Sequence, residues 1–181
     1  MPSKQLHGQQ VDNTQVDAGL LLARLAGAED AARLARLVAS FRDFLGRDEP
    51  ASASIEASLA RLLGDPDTDF MLCCADDRAI GYAQLRYRFS LWCSGIEAHV
   101  DDLFVDAAAR GHGFGAQLLD AAIARARQRG ARVVGLTTNE RNEAALRLYQ
   151  RAGFAADRSR WDGGRQLWLE LEPQQVDTRT S

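Results

Sequence analysis

The chain has 181 residues, 46% of them hydrophobic and 26% charged, with 22 Lys and Arg against 25 Asp and Glu. That length suits one domain rather than two, and a formal net charge of −3 gives no whole-chain reason to expect nucleic-acid binding. No apolar run approaches the roughly 18 residues of a membrane span, and Leu20-Leu21-Leu22 is broken by Arg24 without a basic leader or cleavage site, so the expectation is a soluble, cytoplasmic protein.

Residues 1–17 and 173–181 are polar and without period, and are expected to be disordered tails flanking one domain over 18–172. A short strand is predicted over 19–25. Residues 29–45 carry Leu34, Leu37, Val38, Phe41 and Phe44 at helical spacing, with acidic residues at the start. Gly46 and Pro50 interrupt, and a second helix follows over 54–63 with Ile55, Leu59, Leu62 and Leu63 on one side. Strands over 69–75 and 79–87 are joined by Asp76-Asp77-Arg78, which reads as a hairpin, and 96–105 is a further strand. The clearest helix is 114–129, whose stripe is Leu118, Leu119, Ala122, Ile123 and Ala126, with Gly130 where a C-terminal cap belongs. A strand over 133–138 and a helix over 142–152, closed by Gly153, come next. A hairpin of strands over 154–161 and 165–171 turns at Asp162-Gly163-Gly164. This order predicts an α/β (α+β) fold: one mixed, mostly antiparallel sheet of about seven strands with helices on both faces.

Three cysteines are too few for a disulfide scaffold, and Cys73 and Cys74, adjacent in a strand, point to opposite faces. His7, His99 and His112 make no metal-ligand pattern, so no metal is expected.

The most informative stretch is Arg110-Gly111-His112-Gly113-Phe114-Gly115-Ala116, between a strand and the best helix. Alternate glycines remove the Cβ atoms that keep a ligand off the backbone. The helix behind them presents unpaired N–H groups and the positive end of its dipole. Together these predict a diphosphate cradle with Arg110 at its rim; the alternative is a tight turn without a ligand. No lysine follows Gly115, so the P-loop reading fails. Gly111-x-Gly113-x-x-Ala116 matches a dinucleotide fingerprint, but residues 106–110 separate it from the strand and too little chain follows for a doubly wound sheet.

Val105-Asp106-x-x-x-Arg110-Gly111-x-Gly113-x-Gly115, followed by Asn142-x-x-Ala145-x-x-Leu148-Tyr149-x-x-x-Gly153-Phe154, resembles the two signatures of the GNAT superfamily of acyl-CoA-dependent N-acyltransferases. Asp102-Leu103-Phe104-Val105, after the aromatic-rich 87–92, is most similar to the polyamine and diamine acetyltransferase branch. The resemblance implies a sheet whose central strands splay apart to admit the pantetheine arm of acetyl-CoA. It implies backbone contacts to that arm along Leu103, Phe104 and Val105. It also implies that the amides of Gly111, His112, Gly113, Phe114, Gly115 and Ala116 grip the diphosphate beside Arg110, with Asn142 capping its helix, contacting the cofactor arm, or both. Strict alternation puts Asp102 on the apolar face shared by Ile96, Ala98 and Val100, so a bulge near 101–103 is expected to reset the register.

Acetyl transfer to an amine needs a base, because an alkylammonium with a pKa near 10 is scarcely nucleophilic at neutral pH. By resemblance to the polyamine branch, Asp101 occupies the position of the catalytic glutamate, with Asp102 beside it; the bland alternative is that both pair with loop amides or an arginine such as Arg86. Tyr149 matches the family tyrosine that protonates the departing thiol, although its helical stripe alone would make it a core residue. His99, two residues from Asp101, is either a proton relay or a hydrogen-bonded, partly buried histidine. Arg125, Arg127 and Arg129 are expected on an exposed helix end, or near the CoA 3′-phosphate. Tyr87, Phe89 and Trp92 either line an acceptor pocket or pack against the first helices or a second subunit. Asp43, Asp48 and Glu49 suit a polyamine or aminoglycoside if they are not simply solvated; Arg86 and Arg88 suit a carboxylate. The acceptor expected is a small-molecule amine, with a peptide amine as alternative and a homodimer as the possible assembly. A non-catalytic acyl-CoA-binding module and a small nucleotide-dependent oxidoreductase are the competing functions.

Overall fold

The structure, a computed structural model, describes residues 23–75 and 78–156. Strands β1 (Ala23–Leu25), β2 (Thr68–Ala75), β3 (Arg78–Ser90), β4 (Gly95–Val105) and β5 (Ala131–Leu136) form one sheet in chain order. Helices are α1 (Ala31–Phe44), α2 (Ser52–Leu62), α3 (Phe114–Gln128) and α4 (Glu143–Arg151). All neighbours pair antiparallel except β4 and β5, which run parallel because α3 carries the chain back between them. Five strands are therefore described where about seven are expected. The closing hairpin lies outside the described residues except for 154–156, which form no strand, as do the two tails.

Both faces of the sheet are covered, which is why β2 reads as a nearly continuous apolar run rather than an alternation. Leu118, Ala122 and Ala126 of α3 pack on Met71, Cys73, Ala83, Leu85, Ala98 and Val100. Leu34 and Leu37 of α1 and Ile55 and Leu59 of α2 pack on Phe70, Leu72, Tyr82 and Phe104. Cys73 and Cys74 fall on opposite faces, and burial pushes the Cys73 thiol up to about 11, so it stays protonated.

Helix ends follow local chemistry. Before α1, buried Asp30 accepts from the Gly27 N–H at 3.1 Å and from Arg24 at 2.6 and 2.8 Å, tying β1 to the helix start. Those hydrogen bonds, Arg24 foremost, hold its carboxyl well below the usual carboxylate range. Gly130 and Gly153 close α3 and α4 at φ +77° and +90°. Gly81 is needed for packing instead. A Cβ there would meet the Phe104 carbonyl at 2.7 Å and Leu118 Cδ1 at 3.0 Å, so glycine lets α3 lie close to the sheet.

The expected strand over 133–138 is shifted to 131–136, which places Thr137 in the loop beyond it. Arg125 and Arg129 do not decorate the surface. Asp69, 8% exposed, accepts from Arg125 Nε at 2.7 Å and from the Tyr87 hydroxyl at 2.9 Å. Arg129 lies over the Tyr87 ring and donates to the Pro66 carbonyl at 2.6 Å. The cage pins the last turn of α3 to β2 and β3. Its Arg125 stands 11 residues into a helix that starts at the glycine turn, about 17 Å along the axis at 1.5 Å per residue, and is held by Asp69 there.

Candidate active site

Pairing of β4 with β5 runs from Ile96 opposite Ala131 to Val100 opposite Leu136 and stops, while β4 continues to Val105 with only β3 beside it among the described residues. The sheet splits there. On the β3 side Leu85 faces Val100 and Gln84 faces Asp102, leaving Asp101 as an extra, bulged residue. The consequence is a reset of the faces. Ile96, Ala98 and Val100 lie on the α3 side before the bulge, and Leu103 and Val105 do so after it. Asp102 turns instead to the α1 side, where its carboxylate accepts from Tyr82 at 2.9 Å, and Phe104 follows two residues on.

The Asp106 N–H donates to the Ile80 carbonyl at 2.8 Å. Antiparallel alternation then makes Phe104 and Tyr82 a hydrogen-bonded pair, so the peptide groups of Leu103 and Val105, not Phe104, turn toward the split. The Val105 carbonyl is already engaged: Arg110 Nε donates to it at 3.0 Å. Arg110 does not stand at the cradle rim as expected. Its guanidinium lies 4.3 Å from the Phe44 ring centroid, where flat, weakly hydrated cations are attracted to the ring face.

Beyond Arg110 the backbone reverses through Gly111 at φ +84° and Gly113 at φ +83°, left-handed conformations that glycine adopts without strain. Among the described residues, a Cβ at either would meet no atom within 4 Å beyond its chain neighbours. Gly113 is the N-cap of α3; its carbonyl takes the N–H groups of Ala116 at 3.0 Å and Gln117 at 3.1 Å, so the Ala116 amide is committed within the helix. The amides of Gly111, His112, Gly113, Phe114 and Gly115 have no acceptor among the described residues. Five consecutive donors facing open space at a helix N-terminus fit a diphosphate. His112 is exposed, its Nδ1 2.9 Å from the Arg110 carbonyl oxygen.

Helix α4 lies beside this cradle, since a Cβ on Gly115 would touch Leu148 Cδ2 at 3.6 Å. Asn142 caps α4, its Oδ1 accepting from the Ala145 N–H at 3.2 Å. Tyr149, one residue after Leu148, is half-buried with its ring edge-on to Phe154 at 6.1 Å. Burial raises the pKa of its hydroxyl, which keeps the proton at neutral pH. No described residue hydrogen-bonds that hydroxyl, so its proton is available.

The two carboxylates of the bulge differ. Asp102 is raised chiefly by burial, with the Asp101 charge adding to it and the Tyr82 hydrogen bond opposing. Asp101 remains 38% exposed and bonds His99. Tyr82, which donates to Asp102, and Thr137, which meets His99, carried no sequence motif; only their placement beside β4 marks them. Two of the three acidic residues near the α1–α2 turn are engaged: Asp43, in the last turn of α1, pairs with Arg42, and Glu49 accepts from the Ala51 N–H. Arg88 pairs with Glu97. Tyr87 is buried in the α3-side core, whereas Phe89 and Trp92 stand near the β3–β4 turn, 75% and 76% exposed. Among the described residues no group of His, Cys, Asp and Glu could hold a metal, and no helix is long and apolar enough to cross a membrane.

Comparison with known proteins agrees with this geometry. The Acetyltransferase (GNAT) family matches residues 34–154. An uncharacterized N-acetyltransferase of Bacillus subtilis, YhfO, is 33% identical over 74% of this chain and 89% of its own. The aminoalkylphosphonate N-acetyltransferase of Salmonella typhimurium is 32% identical over 50% of this chain and 58% of its own length. Across the curated relatives it matches, the chain spans from 42% to 89% of their lengths. Among solved structures, an integron cassette protein from the Cole Harbour salt marsh metagenome superposes with a TM-score of 0.71 at 29% identity, over 84% of this chain and 92% of that one.

Proposed function

Because the chain belongs to the GNAT family of acetyltransferases, we propose that it transfers an acetyl group from acetyl-CoA to the primary amine of a small molecule, by direct attack with both substrates bound. One observation carries the choice of donor: the five amides from Gly111 to Gly115 that no described protein group accepts from. Those N–H groups, with the dipole of α3 behind them, hold the diphosphate. The Leu103 peptide groups and the Val105 N–H turn toward the split and meet the amide-bearing arm there. The Asp101 end of the split takes the ammonium proton, and the amine then attacks the thioester carbon. Tyr149, its proton retained by burial, delivers that proton to the leaving sulfur. The small-molecule acceptor draws support from the relative named for an aminoalkylphosphonate.

The test is release of free CoA from acetyl-CoA on addition of an amine panel, read with a thiol reagent. Tyr149→Phe is expected to lower kcat about 100-fold while leaving CoA affinity unchanged. An unaltered kcat removes the acid role from Tyr149.

A further inference from the structure

Asp101 does not stand alone at the mouth of the split. Its Oδ1 lies 2.8 Å from His99 Nδ1, and the same imidazole presents Nε2 to Thr137 Oγ1 at 3.3 Å, across the gap between β4 and the loop that follows β5. With Asp101 ionised, Nδ1 must carry the hydrogen, since a bare nitrogen lone pair facing a carboxylate is repelled. Nε2 is then the unprotonated nitrogen, accepting from the Thr137 hydroxyl. That contact is long for an O–H donor and is readily displaced. His99 and Asp101 are 40% and 38% exposed, within reach of a solvent-borne amine. Gly135 of β5 lies beside the ring, where a Cβ would stand in ordinary contact with His99 Cδ2 at 3.6 Å. The charged groups around the imidazole are Asp101 on its own strand, Arg86 opposite it on β3, and the Arg88–Glu97 pair further along; Asp102 is turned to Tyr82.

We propose that Nε2 of His99 is the atom that takes the ammonium proton, and that Asp101 is a positioning residue that orients the ring and holds its charge. This rests on the acetyltransferase reading above. In the step, an N–H bond of the ammonium breaks and its electron pair stays on nitrogen, while Nε2 gains the proton and the imidazolium pairs with Asp101. The freed lone pair forms the N–C bond, the C–S bond breaks with its electrons on sulfur, Tyr149 protonates that sulfur, and the acylated nitrogen sheds its second proton to water to leave the neutral amide. Water returns the proton from His99 to the Tyr149 phenolate. Histidine suits this role because its ordinary protonation equilibrium lies closest to neutral pH.

Two measurements on the full chain decide the matter. Nitrogen-15 NMR of the imidazole, without substrate, is expected to show the neutral ring protonated at Nδ1 and bare at Nε2; the opposite tautomer overturns the assignment. His99→Asn retains a donor toward Asp101 but has no titrating base. It is expected to lower kcat/KM about 100-fold or more and to abolish the acidic limb of its pH profile, with CoA affinity by calorimetry unchanged. Asp101→Asn is expected to lower kcat/KM while keeping that limb, because the titrating imidazole is still present. A His99→Asn chain with wild-type kcat and an intact acidic limb returns the base role to Asp101. If the wild-type chain turns over acetyl-CoA with none of spermidine, 2-aminoethylphosphonate, kanamycin or glycine, the acetyl-transfer reading fails and this inference with it, whatever the tautomer.

Discussion

Substitution Gly113→Ala separates what the turn does for folding from what it does for binding. Gly113 sits at φ +83° with open space where a Cβ would go, so alanine clashes with no atom and its folding cost is conformational alone. A non-glycine residue in the left-handed region costs about 1–2 kcal/mol, which lowers the melting temperature by roughly 2–8 °C in a chain of this size. Binding suffers differently, because the methyl group enters the space the amides of Phe114 and Gly115 face. Loss of one charge-assisted hydrogen bond, about 1.5–3 kcal/mol, weakens the CoA Kd roughly 10- to 150-fold. Calorimetry with CoA and with pantetheine, which lacks the diphosphate, reads the distinction: the variant loses affinity for the first and keeps it for the second. Gly115→Ala is the control, since its Cβ meets Leu148 at an ordinary 3.6 Å, and it is expected to bind CoA normally. Wild-type CoA affinity in Gly113→Ala, or an equal loss for both ligands, refutes the reasoning.

Other substitutions probe the frame around the site. Gly81→Ala forces a methyl group to 2.7 Å from the Phe104 carbonyl of β4 and 3.0 Å from Leu118 Cδ1 of α3; overpacking of about 1–3 kcal/mol is expected to show as a lower melting temperature, and an unchanged one contradicts this close approach. Asp69→Asn takes the counter-charge from Arg125 and leaves Arg129 only the more distant Asp67 at 4.0 Å. Because both arginines keep some contact with water, the cost should fall at about 2–4 kcal/mol, below that of a fully buried pair, with CoA affinity retained. Asp102→Asn tests the pH linkage. Burial raises this carboxyl in the folded chain, so its contribution to stability is present below the unfolded-state pKa and is lost as pH rises through the folded value. Asparagine stays neutral and still accepts from Tyr82. The variant should therefore melt above the wild type at pH 7.5, with the gain shrinking as pH falls toward 4; a pH-independent difference rules this out.

Much of the site was legible because its chemistry is local. Gly111 and Gly113 had to be glycines for conformational reasons, and the helix from 114 to 128 followed from one apolar stripe. The bulge was legible too: Asp102 violated the alternation set by Ile96, Ala98 and Val100, and an extra residue at Asp101 resolves the conflict. What escaped depends on contacts between distant segments. Asp69 is 56 residues from Arg125, so nothing along the chain distinguishes a caged carboxylate from a solvated one. Arg110 is adjacent to the cradle in sequence, yet Phe44 at the end of α1 draws its guanidinium away. The Asp101–His99–Thr137 chain required knowing where β5 ends, two residues earlier than its β-branched composition suggests.

The most direct measurement is a proton–nitrogen correlation spectrum of the labelled chain titrated with CoA. Peptide signals of Gly111, His112, Gly113, Phe114 and Gly115 should move together and saturate with the calorimetric Kd, while the Ala116 signal, already bonded to Gly113, moves least. Saturable CoA binding that leaves those five signals in place would contradict the account.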